Sequence, residues 1–346
     1  MFGIFRYVLA HMVVIAHLWP ALTDWTGIYA VFSFYTLSGY LMTHVLTTVY
    51  GFSYKGMSRF LLNRALRIFP PYWFVLAFSI ILILLIPDIE KGINSRLNLP
   101  SSMLEWVHNV FIFGLYSDQT RLVPPAWSLN VELFFYVLMA VFLVRKRSFV
   151  ILWFSVSLLY TVYMLGAGFD FAHRYYPPQA ASLPFSLGAL IFSFRKELGK
   201  MPKWTILPAT ILFLINAFFS KAIWGNERCM GFYLSVFAGA YLLVCLQGID
   251  DERLPSVIRK IDKALGDLSY PVFLCHWQVA SIVVWVGFSG VKPWGQWLLL
   301  SSVVFINLVA YLLNVAVDHP LRVTRSQVRK GCISNSKSMY RVPVIR

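Results

Sequence analysis

Long apolar blocks separated by short polar segments run the length of the chain, among them Tyr72–Ile86, Leu133–Val144 and Leu298–Val317. A helix of about 20 such residues, rising 1.5 Å each, crosses the hydrocarbon of a bilayer. The pattern predicts spans at 4–20, 27–49, 71–87, 127–144, 149–166, 180–194, 204–219, 229–247, 268–288 and 295–317, ten crossings in all. The apolar stretch 104–117 is short for a crossing. Because segments 50–70 and 145–148 are both basic, an even number of crossings separates them, and two are already assigned there. Segment 104–117 is therefore expected to lie on the extracytoplasmic surface or to re-enter. In residues 250–270, Leu254, Val257, Ile258, Ile261 and Leu265 recur at helical spacing, which predicts an amphipathic helix on the cytoplasmic face. The expected fold is all-α: a polytopic integral membrane bundle, with a membrane domain over 1–322 and a basic cytoplasmic tail over 323–346.

Composition supports this. Of 346 residues, 58% are hydrophobic and 13% charged, against about 25% charged in soluble domains. The formal charge of +15 raises nucleic acid as a partner. Its distribution excludes that reading: 23 of the 30 Lys and Arg fall at Arg6 and in segments 50–70, 145–148, 195–203, 248–267 and 318–346, which alternate with the segments holding the other seven. Cytoplasmic loops retain Lys and Arg in this way, so both termini are expected in the cytoplasm and membrane lipids are the expected surroundings. The start, 1–19, has the look of a secretory signal but lacks a small-residue cleavage site, and is read as the first span. Cys229, Cys245, Cys275 and Cys332 show neither a disulfide framework nor metal-ligand spacing, so no metal and no resident cofactor is expected.

Ionisable residues inside spans are costly, and each is a functional candidate. Arg6 and His17 are 11 residues apart, so they share a helix face within about 20° and stand roughly 16 Å apart along the axis. His11 is about 120° away from His17. Arg64 and Arg67, three apart before Pro70 and Pro71, lie on one face and suit phosphate oxygens. Glu132, inside a span, shares a face with Ser128, and His276 sits in the apolar run of the ninth span. Blander readings stand beside these: arginines as topology determinants, His17 as an interfacial histidine, Ser128 and Glu132 as a structural pair and His276 as a packed histidine.

In order, "RYVLAHMVVIAH" (6–17), "FSFYTLSGYLM" (32–42), "RALRIFPPYW" (64–73), "WSLNVELFFY" (127–136), "LSYPVFLCHW" (268–277) and "VDHPLR" (317–322) resemble the motifs of the acyltransferase-3 family of bacterial and related membrane O-acyltransferases. Tyr7 and Tyr35 depart from that family's usual residues. The resemblance covers residues 6 to 322 and is nearest to the stand-alone, exopolysaccharide-modifying type. It implies transfer of an acyl group, most often acetyl, from cytoplasmic acyl-CoA to a hydroxyl of an extracytoplasmic or lipid-linked glycan, in a bacterial inner membrane. Arg6, Arg64 and Arg67 would bind the donor's phosphates, His17 would be the general base, and Glu132 with Ser128 would orient or charge-balance the site. Tyr270 and His276 are further candidates. A transporter or lipid-linked glycan flippase using the same intramembrane Arg, His and Glu is the alternative.

Overall fold

The computed structural model of the protein describes residues 1–23, 25–86, 88–89, 93–115, 120–199, 202–225, 228–249 and 254–336, side chains at 203, 228, 229 and 331–336 excepted. Its secondary structure is helical, with no strand among the described residues. The helices are α1 (Phe2–Leu18), α2 (Thr26–Val45), α3 (Tyr54–Leu85), α4 (Met103–Phe111), α5 (Ala126–Leu138), α6 (Arg147–Gly166), α7 (Pro178–Ser193), α8 (Ile206–Phe218), α9 (Arg228–Gln247), α10 (Ser256–Gly287), α11 (Gly295–Leu313) and α12 (His319–Ser336). A helix overlaps each expected span, and among the described residues six helical stretches are long and apolar enough to cross a bilayer, against the ten crossings expected. This is a multi-pass helical membrane architecture.

Two expectations change in detail. The basic segment 50–70 and the span after it form one 32-residue helix, α3, and the amphipathic segment before 270 is likewise continuous with its span in the 32-residue α10. Residues 250–253 of that segment lie outside the described residues. Both helices run through proline. Pro70 and Pro71 withhold the N–H groups that would bond the carbonyls of Leu66 and Arg67. The next carbonyl, Ile68, accepts the Tyr270 hydroxyl from α10 at 2.9 Å, which ties the two long helices together.

Backbones approach closely where glycine permits it. A Cβ on Gly188 of α7 would lie 1.9 Å from the Thr36 carbonyl oxygen of α2, and one on Gly266 of α10 would lie 2.7 Å from the Gly3 Cα of α1. Small residues serve membrane helices in this way because dispersion, rather than hydrophobic exclusion, holds them together. The result seats α1 between α2 and α10 and brings Arg6 and His17 into the middle of the bundle.

Segment 104–117 forms the short helix α4 and a turn at Ile112 (φ 54°) and Gly114 (φ 65°). Residues 116–119 lie outside the described residues. The α4 carbonyls of Asn109 and Val110 accept the Tyr72 hydroxyl and the Trp73 indole N–H, near the middle of α3. The segment leaves α3 and joins α5 at the same end of the bundle, with the end of α4 held against the side of α3. At the far end of the chain, α12 folds back on α3, where Asn63 Nδ2 donates to the Arg325 carbonyl at 2.8 Å. The tail is thus helical to Ser336, and residues 337–346 lie outside the described residues.

Candidate active site

Helix α1 presents Arg6 and His17 to two different cavities. The first has a volume of about 160 Å³ and gathers Arg6, Arg64, Arg67, Ser128, Glu132 and Tyr270, residues that lie far apart in the sequence. Arg67 is the engaged member: its Nη1 donates to Asp318 at 3.1 Å, and the same buried carboxylate takes Arg325 at 2.7 Å and Arg322 at 3.5 Å. Arg322 is shared with Asp267 at 3.0 Å, so Asp318 and Asp267 together set two negative charges against Arg67, Arg322 and Arg325. Arg64 Nη2 donates to Asn63 Oδ1 at 3.1 Å. The buried Nε atoms of Arg6 and Arg64 have no hydrogen-bond partner, and among the described residues neither arginine forms an ion pair. Buried donors of this kind are costly unless a ligand satisfies them.

Glu132 lies in this arginine-lined cavity. It accepts hydrogen bonds from Ser38 at 2.5 Å and from the Tyr136 hydroxyl. The blander reading of Ser128 and Glu132 as a hydrogen-bonded pair does not hold. Ser128 Oγ donates instead to the Pro125 carbonyl at 2.9 Å, an oxygen that also accepts the Ser128 main-chain N–H at 3.2 Å. Ser38 and Tyr136 were not among the expected site residues; the sequence marks them only as polar groups within apolar helices.

The second cavity, about 700 Å³, holds His17 among Trp127, Tyr175, Tyr176 and Trp277, with Arg96 and Arg121 from the connection between α3 and α5. His17 Nδ1 lies 2.8 Å from His276 Nε2, and His276 Nδ1 lies 2.8 Å from the Phe273 carbonyl. The carbonyl can only accept, so His276 carries its proton on Nδ1 and its Nε2 accepts from His17 Nδ1–H. In the neutral pair, His17 Nε2 then bears a lone pair. This is the arrangement a general base needs: one nitrogen fixed by a partner, the other basic. Trp277 packs against the His17 ring at 5.0 Å between centroids.

His11 has another setting. Its Nδ1 pairs with the Tyr7 carbonyl at 3.0 Å and its Nε2 accepts from Asn307 at 3.1 Å, so both ring nitrogens are occupied in packing against α11. Of the candidate residues, Arg6, Arg64, Arg67, Ser128, Glu132 and Tyr270 meet at the first cavity, while His17 and Ser128 border the second. His276 stands behind His17. Cys245 and Cys275 are free and buried. Among the described residues no group of His, Cys, Asp or Glu could hold a metal ion.

The family model described as an acyltransferase domain, that of the acyltransferase-3 family, matches residues 2–317. No curated protein and no solved structure matches the chain. The matched stretch is nearly the whole chain and contains both cavities, and the chain belongs to the acyltransferase-3 family.

Proposed function

We propose that this acyltransferase carries an acyl group, most simply acetyl, from acyl-CoA bound on the cytoplasmic side to a hydroxyl of an extracytoplasmic or lipid-linked glycan. The observation that carries the proposal is the meeting of two cavities of opposite character. One is lined by three arginines, of which Arg6 and Arg64 each keep a buried Nε–H without a partner, the other by aromatic rings and two arginines around a histidine whose Nε2 is left free by its pairing with His276.

Phosphates of the donor suit Arg6 and Arg64, with Arg67 beside them, because guanidinium groups match phosphate oxygens in charge and shape. The pantetheine arm would run from these residues toward His17, a distance of about 16 Å along α1. Its amide N–H groups would meet Glu132, a hydrogen-bond acceptor already oriented by Ser38 and Tyr136. On the other side, flat aromatic faces such as Trp127 and Tyr176, 5.0 Å apart, suit the apolar faces of sugar rings.

In the chemical step His17 Nε2 takes the proton of the acceptor hydroxyl. The oxygen bonds to the thioester carbonyl carbon, the carbon–sulfur bond breaks, and the CoA thiolate leaves and recovers the proton from His17. His276 keeps His17 in the required tautomer throughout. The acyl group passes from thioester to ester, and no oxidant or reductant is consumed.

Purified protein in lipid, given acetyl-CoA labelled in the acetyl group and an extract of lipid-linked glycans, should release CoA and place label on glycan. Absence of acyl-CoA consumption together with glycan movement across the bilayer would instead establish a flippase.

A further inference from the structure

Among the described residues, three line both cavities: Val31 of α2, Ser128 of α5 and Phe273 of α10. Each is nearly closed to solvent, at 7%, 5% and 7% exposure respectively. Together they form a partition between the arginine-lined and histidine-lined spaces. On the acyltransferase reading just given, the thioester sulfur arrives from the arginine side and the acceptor oxygen from the His17 side. A single carbon bonded to one and attacked by the other has to sit where the two spaces touch.

We infer that Val31 and Phe273 enclose the acyl substituent at that border and so set which acyl chain the enzyme transfers. The carbonyl substituents lie in one plane and the attacking oxygen approaches across it. The chain beyond the carbonyl is therefore turned sideways, into the partition, instead of forward into the space the glycan occupies. There it meets a β-branched side chain with restricted rotation and a phenyl ring held by two neighbours. The Phe273 ring packs edge-on to Phe34 at 6.3 Å, and the Phe273 carbonyl receives the His276 proton. Such a closed wall accommodates a methyl group and resists longer chains. Truncating the Phe273 ring keeps the main-chain carbonyl that orients His276 but removes the ring's packing against that imidazole, 6.4 Å between centroids, so the readout is the preference between donors and not the turnover on either one.

The test compares acetyl-CoA with butanoyl-CoA for the parent, Phe273→Ala and Val31→Ala. The ratio of kcat/KM for butanoyl over acetyl is expected to rise about tenfold or more in at least one variant, since each methylene a pocket admits or refuses is worth at least about tenfold. A gain on the longer donor is a readout that damage to the fold does not produce. Unchanged ratios in two folded variants of an active parent would overturn the assignment while leaving the acyltransferase reading intact. A parent that transfers neither chain would overturn both, and a parent that already transfers butanoyl as well as acetyl would overturn the gauge alone.

Discussion

His11 and His17 occupy one helix and face different tasks, which makes them a matched pair for testing the chemistry. His17→Ala should lower acyl transfer by about 100-fold or more, the low end of what a general base contributes, with protein yield and acyl-CoA binding preserved. His11→Ala removes a packed histidine whose nitrogens bond Tyr7 and Asn307, and should act on thermal stability more than on turnover. Full transfer by a folded His17→Ala protein would remove the mechanism. His276 is a positioning residue, so His276→Gln, which keeps an acceptor for His17 Nδ1–H, should retain more kcat than His276→Leu, with the donor KM unmoved in both. On the donor side, Arg64→Ala should raise the KM for acyl-CoA about tenfold or more, the weight of one charge-assisted hydrogen bond at ~1.5–3 kcal/mol. Arg64→Lys should recover only part of it. An unchanged donor KM in Arg64→Ala would refute the phosphate assignment. Much of this site was readable beforehand, because Arg6 and His17 follow helical geometry on a single element. For Glu132 helical spacing narrows the choice without making it: Ser128 and Tyr136 both stand four residues away, and the structure pairs Glu132 with Tyr136 and, across the bundle, with Ser38. Asp318, which holds Arg67, Arg322 and Arg325, was marked by the segment 317–322, but its arginine partners were not.

At the scale of elements, the piece least legible in the sequence is segment 104–117. Its apolar run is too short to declare a crossing, and its depth is decided by side chains of other elements. Asn109, 1% exposed, donates to the carbonyls of Glu105 and Thr120 and accepts from the Leu122 N–H at 2.9 Å. Gln278 of α10 donates to Ser79 of α3 at 2.9 Å and to the Leu122 carbonyl at 3.2 Å. These bonds pin the strip immediately after Arg121, which lines the His17 cavity. Replacing Asn109 by Ala leaves the Leu122 N–H buried without its acceptor, a cost of about 1–3 kcal/mol. The expected outcome is a lower Tm in detergent and a kcat/KM that falls more for the glycan than for acyl-CoA. Equal losses on both substrates would mean that the segment supports the bundle generally and does not shape the acceptor side.

For the molecule as a whole, function depends on which cavity faces which compartment. The fold groups Arg6, Arg64, Arg67, Arg322 and Arg325 at one end, and it gives the cavity with Arg96, Arg121 and His17 to the other. The loop charges point the same way, since the segments at the arginine end carry most of the Lys and Arg and are the ones expected in the cytoplasm. Acyl-CoA is made there, so the orientation also decides whether the proposed donor can reach its site. Single cysteines placed in a cysteine-free background test this directly. Ala172→Cys, Gly225→Cys and Lys292→Cys should react with an impermeant maleimide on intact cells. Lys55→Cys, Lys146→Cys, Leu198→Cys and Ser256→Cys should react only after the membrane is opened. Positions 146 and 198 are the most informative, because they bracket α6 and α7 and the arrangement requires both on one side. Labelling of the two from outside would invert the protein, place the arginines away from acyl-CoA, and sink both the topology and the donor assignment built on it.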